Sequence, residues 1–287
     1  MRIAGIGQTD VGMRRERNED AFFCDDELGL YLVCDGMGGH QAGNVASFVA
    51  LHAAVQTVRQ GRQTLAAVRN GALSHDHLLH MAMDAADAAG TAVHAKAQEA
   101  ERYGGMGCTL TMLIVAGAKA AMAHVGDSRL YLHRDDSTEQ LSTDHTMAEQ
   151  LRQRGMLTAA EAKASRFGHV LTRSLGVQSV CEVEGLVLDV EPDDTYLICS
   201  DGLSDCFDGL AEVSAYLDQD DLHSIPGALI DLAKRRGGAD NITAVVLRAK
   251  ARFPGQERPA VNDNVRRKIA ALKKTQPDRA SSARGGG

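Results

Sequence analysis

The chain has no tryptophan, 5 prolines and 4% aromatic residues over 287 positions, yet enough apolar residues to bury a substantial core. It also lacks a long apolar run. The longest, Leu110 to Ala118, already contains Thr111 and is too short to span a bilayer. The start, MRIAGIGQTD, has no basic segment followed by an apolar stretch, so no secretory signal is visible. The six cysteines include no C-x-x-C pair and no metal-ligand spacing, which disfavours a zinc knuckle and a disulfide framework and favours reduced, buried thiols. These absences lead to the expectation of a cytoplasmic protein. What remains, 44% apolar and 24% charged, suffices for one large domain or two small ones.

Charge is unevenly placed. From Arg252 onward there are nine Lys or Arg against three Asp or Glu, a balance of +6, so the formal −7 of the whole leaves −13 for residues 1–251. An acidic body repels phosphate backbones, and nucleic acid is disfavoured as a partner. The composition divides the chain into a folded unit, 1–251, and a basic tail, 252–287. In the tail Val265, Ile269 and Leu272 would share a helical face, so a short basic docking helix and a solvated tail are both open.

Periodicity predicts extended runs around Ile3–Ile6, Ala21–Cys24 and Leu30–Cys34, then a glycine-rich loop, then a helix over Asn44–Val58. A second, alanine-rich helix is expected from about Asp76 to Glu101. A second strand-rich block follows: Cys108–Val115, Ala120–Val125 and Arg129–His133. Residues 144–165 read as helical with a break at Gly155. Beyond them come strands at Glu182–Leu188 and Thr195–Cys199, helices at Leu210–Leu217 and Ile225–Arg235, and a closing strand at Ile242–Ala249. Two groups of strands with helices between them predict an α+β fold of packed antiparallel sheets covered by helices.

Four acidic clusters lie at predicted strand ends: Asn18-Glu19-Asp20, Asp35-Gly36, Ser200-Asp201-Gly202 with Asp205, and Asp240-Asn241. Asp-Gly alone is commonly a turn. Several such clusters together supply the oxygen ligands that hard divalent ions take.

These segments resemble a known family. RERNED at 15–20, DGMGGHQAG at 35–43, HVGDSR at 124–129, SDGLSD at 200–205 and DNIT at 240–243 stand in the order and approximate spacing of bacterial metal-dependent protein phosphatases of the type 2C class. The resemblance covers about residues 1–250. It implies a four-layer αββα sandwich, two central antiparallel sheets flanked by antiparallel helices, with two Mn²⁺ or Mg²⁺ ions at one end. Asp35 would bridge the ions, Asp201 and Asp240 would complete one site, and the Gly36 carbonyl would bind the other. Glu19 and Asp20 would hold metal-bound waters, and Asp127 and Asp205, with Asp201, would form a third, weaker site. Arg15, four residues before Glu19, matches the phosphate-binding arginine, with Arg14 and Arg17 left as solvated neighbours. The general acid stays open between His40 and a metal-bound water, because Met37 stands where eukaryotic relatives carry histidine after Asp-Gly. TDHT at 143–146 and HVLTRSLG at 169–176 match the ends of the flap of bacterial members, although Phe167-Gly168 replaces the common His-Pro.

The chemistry agrees with that placement. Phosphate-monoester hydrolysis needs up to ~10²¹ in rate, roughly 28 kcal/mol, of which acid–base catalysis contributes about 10²–10⁴. Two cations about 3.5–4 Å apart, activating a bridging water for direct attack and neutralising the phosphate, can supply the rest. The expected activity is hydrolysis of phosphoserine and phosphothreonine in proteins, opposing a bacterial Ser/Thr kinase, by a monomer with no membrane or nucleic-acid partner. A non-catalytic phosphoprotein adaptor and a phosphodiesterase are the competing readings. His75, His77 and His80 open a predicted helix away from the carboxylates, and Met81 and Met83 read as core packing.

Overall fold

The computed structural model describes residues 1–38 and 42–250. Eleven strands among these residues form two antiparallel sheets. In the first, β1 (Arg2–Asp10), β11 (Ile242–Lys250), β10 (Thr195–Cys199), β7 (Arg129–Arg134) and β8 (Ser137–Gln140) lie side by side in that order. The second runs β2 (Asp20–Asp25), β3 (Leu30–Met37), β5 (Leu110–Ala116), β6 (Lys119–Val125) and β9 (Glu184–Asp189), with the short β4 (Gly107–Cys108) paired to β3. Each sheet draws strands from both halves of the chain, which the two-group sequence pattern alone did not reveal.

Alternation along the strands builds the layers. On β3, Tyr31 and Val33 point between the sheets, while Leu30, Leu32 and Cys34 point at helices. On β10, Tyr196 and Ile198 face the second sheet, whereas Leu197 and Cys199 face the other helical layer. Because β5 is covered on both sides, all seven of its residues are buried and its apolar run is continuous.

Helices α1 (Ala42–Gln60), α2 (Arg62–Arg69) and α3 (Asp76–Ala97) cover the second sheet. Ala46, Ala50 and Ala54 on α1, with Ala82, Ala85, Ala86 and Ala89 on α3, are buried at helical spacing, and such small side chains allow close helix packing. The alanine-rich helix ends at Ala97, short of the expected Glu101. Ala100 is extended and the chain makes a 3-10 turn at Glu101–Tyr103. Met81 is buried as expected.

Between β8 and β9 lies the flap, with α4 (Met147–Gln153) and α5 (Ala159–Lys163). Thr146 caps α4 by accepting from the Glu149 amide, and Thr158 with Glu161 forms a capping box on α5. Gly155, at φ +71°, lies between them as the sequence pattern required. A one-turn helix α6 (Asp201–Ser204) precedes α7 (Leu210–Leu217) and α8 (Ile225–Arg235), which cover the first sheet. The result is the expected αββα sandwich. All six cysteines are free. Cys34, Cys108 and Cys199 are buried, while Cys24, Cys181 and Cys206 are half-buried. No helix among the described residues is long and apolar enough to cross a membrane.

Candidate metal centre

Antiparallel pairing gathers the predicted acidic residues at one end of the sandwich. Asp20 opens β2 and is the register partner of Asp35 near the end of β3. Asp201 follows β10, Asp127 follows β6, and Asp240 precedes β11. The β10–β11 and β7–β10 registers, Cys199↔Ala244 and Arg129↔Cys199, bring these strand ends to the same rim. Gly12, at φ +79°, lets the loop between β1 and β2 lie against the Asp240 backbone, where a side chain would collide with the Asp240 carbonyl.

Asn241 ties this loop down. Its amide nitrogen donates to the carbonyls of Val11 and Arg17, at 3.0 and 2.8 Å, and its oxygen accepts from the Glu19 amide at 2.8 Å. Asp20 Oδ2 accepts from the hydroxyls of Ser200 and Thr243, at 2.7 and 2.6 Å, which anchors the first strand of one sheet to the other sheet. The Asp35 amide donates to Thr109 Oγ1 at 2.9 Å, and its carboxyl is hydrogen-bonded to that of Asp201. The Gly36 carbonyl and the Glu19 carboxyl converge beside Gly43, where a Cβ would lie 2.8 Å from the carbonyl oxygen and closer still to the carboxylate. Arg15, with its side chain 54% exposed, donates to Asp240 Oδ2 at 2.6 Å. Glu19, Asp20, Asp35, Gly36, Asp127, Asp201, Asp205 and Asp240 thus share one rim with Arg15. His40 and the tail from 252 lie outside the described residues.

The electrostatics of the cluster are those of too many carboxyls and too little positive charge. Burial, then the neighbouring Asp20, Asp201 and Asp127, push Asp35 well above the carboxylate range. Burial lifts Asp20 to about 7 against the pull of its two hydroxyl donors. Burial and the Asp201, Asp144 and Asp205 charges lift Asp127 to about 8. Burial raises Glu19 and Asp205 as well. Asp201 moves the other way, since the nearby His169 imidazole and a hydrogen bond with Asp35 outweigh its burial.

Asp20 Oδ1 and Asp201 Oδ1 are buried without a hydrogen-bond partner. Unpartnered buried oxygens in an all-carboxylate pocket fit hard divalent cations, which would replace the protons these groups otherwise retain. The donor set therefore suits Mg²⁺ or Mn²⁺ better than a soft metal.

Sequence reasoning assigned no role to His169. Its Nδ1 stands 3.5 Å from Asp205 Oδ2 and 3.8 Å from Asp201 Oδ2. The neighbouring Asp201 carboxylate lifts it to about 9 against the cost of burial, with Asp205 adding to the effect. A second group, His124, His145 and Glu184, lies at the root of the flap. There His124 donates from Nε2 to the Thr143 carbonyl and accepts at Nδ1 from Thr111, while His145 Nδ1 accepts from the Gly126 amide. Burial holds His124 down at about 4. With Arg173 3.2 Å from His145 Nε2, this network is already satisfied and disfavours a cation.

Residues 13–224 match the family model described as Protein phosphatase 2C. The chain belongs to the protein phosphatase 2C family. The protein phosphatase PhpP of Streptococcus pneumoniae is 31% identical over 251 residues, covering 83% of this chain and 94% of PhpP. The serine/threonine protein phosphatase PstP of Mycobacterium tuberculosis is 34% identical over 253 residues, covering 88% of this chain and 46% of PstP, so the chain spans about half of that relative. A crystal structure of the PstP catalytic domain in complex with two manganese ions superposes at a TM-score of 0.76 with 31% identity, covering 87% of this chain and 99% of that one. The fold described above is therefore that of a phosphatase family.

Proposed function

We propose that this phosphatase hydrolyses phosphoserine and phosphothreonine in proteins, using two divalent ions held by Asp35, Asp201, Asp240 and the Gly36 carbonyl, and that it opposes a bacterial Ser/Thr kinase. The observation that carries the reading is the approach of Asp20, Asp35 and Asp201 from stretches as remote as β2 and β10, leaving buried carboxylate oxygens without partners. Such a rim repels a phosphate dianion unless cations intervene. When bound, the ions would supply the positive charge and the acidified water that phosphate-ester hydrolysis needs.

The chain's own residues divide the remaining work. Arg15 lies beside Asp240 with its side chain more than half exposed, so its guanidinium fork can take phosphate oxygens as they enter. Glu19 and Asp20 would order water around the ions. Ser200 and Thr243 hold Asp20 in place, and Thr109 holds the backbone of Asp35. A third ion at Asp127, Asp201 and Asp205 would lie under the flap.

The test is turnover of a phosphothreonine peptide with added Mn²⁺. The expected result is release of phosphate that stops on chelation and in Asp35→Asn. A folded, Mn²⁺-loaded protein without turnover would instead support a phosphoprotein adaptor, and faster cleavage of a bis-ester substrate would support a phosphodiesterase.

A further inference from the structure

The flap brings one histidine to the carboxylate rim. Two backbone bonds, Met147 N to the Val170 carbonyl and Thr172 N to the His145 carbonyl, both 2.8 Å, fix the chain on either side of Leu171. His169 is the residue immediately before this ladder. Lys163 secures the other part of the flap by donating to the Phe207 carbonyl at 2.9 Å, two residues beyond Asp205. The imidazole is thus presented by an anchored backbone, although its side chain is 70% exposed.

Asp127, His169 and Asp201 each offer one ligand atom, and these atoms lie within 4.8 Å of one another. Ligands about 2.1 Å from one first-row ion stand about 3.0 Å apart when adjacent and about 4.2 Å apart when opposite. The His169 separations of 3.5 and 3.8 Å from Asp205 and Asp201 fall inside that interval. Asp201 Oδ1, buried and unpartnered, is a further donor on the same carboxylate. From these observations we infer that His169 is a nitrogen ligand, carried by the flap, for a cation held by Asp127, Asp201 and Asp205, that it makes this position select Mn²⁺ over Mg²⁺, and that bound Mn²⁺ ties the docked flap more firmly to the rim.

The selectivity follows from donor chemistry. Mg²⁺ keeps oxygen ligands and water, whereas imidazole suits transition ions. The core positions, built from Asp35, Asp240 and the Gly36 carbonyl, offer oxygen alone and discriminate less. Occupancy of the mixed site would then depend on Mn²⁺ even in a large excess of Mg²⁺. The inference rests on the cation centre proposed above and adds a ligand, a preference and a tether to it.

The experiment uses the full chain in excess Mg²⁺, titrated with Mn²⁺. Electron-spin-echo spectra of the bound Mn²⁺ should carry ¹⁴N modulation that changes with ¹⁵N-histidine labelling and is lost in His169→Ala. Calorimetry should show Mn²⁺ affinity at this position falling on the order of tenfold or more in that variant, with Mg²⁺ affinity unchanged. Trypsin cleavage at the exposed Arg166 should be slowed by Mn²⁺ but not by Mg²⁺ in the wild type, and by neither in His169→Ala. Absence of nitrogen modulation, or equal protection by the two ions, would overturn the inference, meaning that His169 merely neutralises an ion-free rim. Nitrogen modulation in a protein that hydrolyses no phosphothreonine peptide would sink the activity and leave the ligand standing. Full turnover without the modulation would do the reverse.

Discussion

Asp20 and Asp35 face each other across the β2–β3 ladder, one held by hydroxyls from the opposite sheet and the other pressed against Asp201. Two carboxyls at directly paired positions destabilise a sheet unless something neutralises them. The ion binding proposed for this pair and the stability of the ion-free fold are therefore opposed.

Asp35→Asn tests that opposition. Removing one ionisable carboxyl relieves the crowding, so the chelated variant should melt above the chelated wild type. The rise given by Mn²⁺ should shrink, and turnover should fall by at least about 10³-fold. Thermal melts with and without Mn²⁺, alongside peptide turnover, check all three. A variant that melts lower in chelator would show that the pair is not strained.

The pH dependence of the ion-free protein has a definite sign. With Asp20 at about 7, Asp127 at about 8 and His169 at about 9, the folded chain holds protons that the unfolded chain has released. All three pKa values are raised, so stability is lost as pH rises through them. His124, held at about 4, works oppositely but only below its ordinary value near 6.5. Between about pH 6.5 and 8.5 the melting temperature in chelator should therefore fall, and the stabilisation given by Mn²⁺ should grow. Melting temperatures that rise across this window in chelator would contradict the assignment.

Gly43→Ala isolates the approach of Glu19 to the Gly36 carbonyl. A methyl group there would press on both. Position 43 lies in the first turn of α1, where alanine is no burden to a helix, so the loss should appear in ion binding. Mn²⁺ affinity should fall about tenfold or more by calorimetry, while helix content by circular dichroism stays unchanged.

Arg15→Ala should raise KM for a phosphopeptide and lower kcat/KM by about 10- to 100-fold, the effect of losing a charge-assisted contact of about 1.5–3 kcal/mol. Because Arg15 also neutralises Asp240, Mn²⁺ should bind at least as tightly as in the wild type. Steady-state kinetics with parallel calorimetry separate the two effects, and weaker Mn²⁺ binding would recast Arg15 as a support for the ion site.

Much of the site was legible because Asp35 and Asp201 each end an apolar strand and precede glycine, a local pattern that survives without knowledge of the fold. The helices Leu210–Leu217 and Ile225–Arg235 were legible for a similar reason, since their apolar faces repeat at helical spacing. His169 was not, because its nearness to Asp201 and Asp205 depends on the path of the flap and leaves no periodic trace. Helix α2 was missed because its eight residues bury only Leu65 and Val68. Thr109, Ser200 and Thr243 support the site through contacts between segments remote in sequence, and strand order depends on the same kind of pairing.

The position of β11 has a consequence for how the molecule comes into being. The N-terminal strand β1 has its sheet neighbour in β11, and Asp240 immediately precedes that strand. A nascent polypeptide emerging from the ribosome must hold β1 unpaired until more than 240 residues have been synthesised. Dephosphorylating competence would then arrive in a single late step, so that incomplete translation products stay silent.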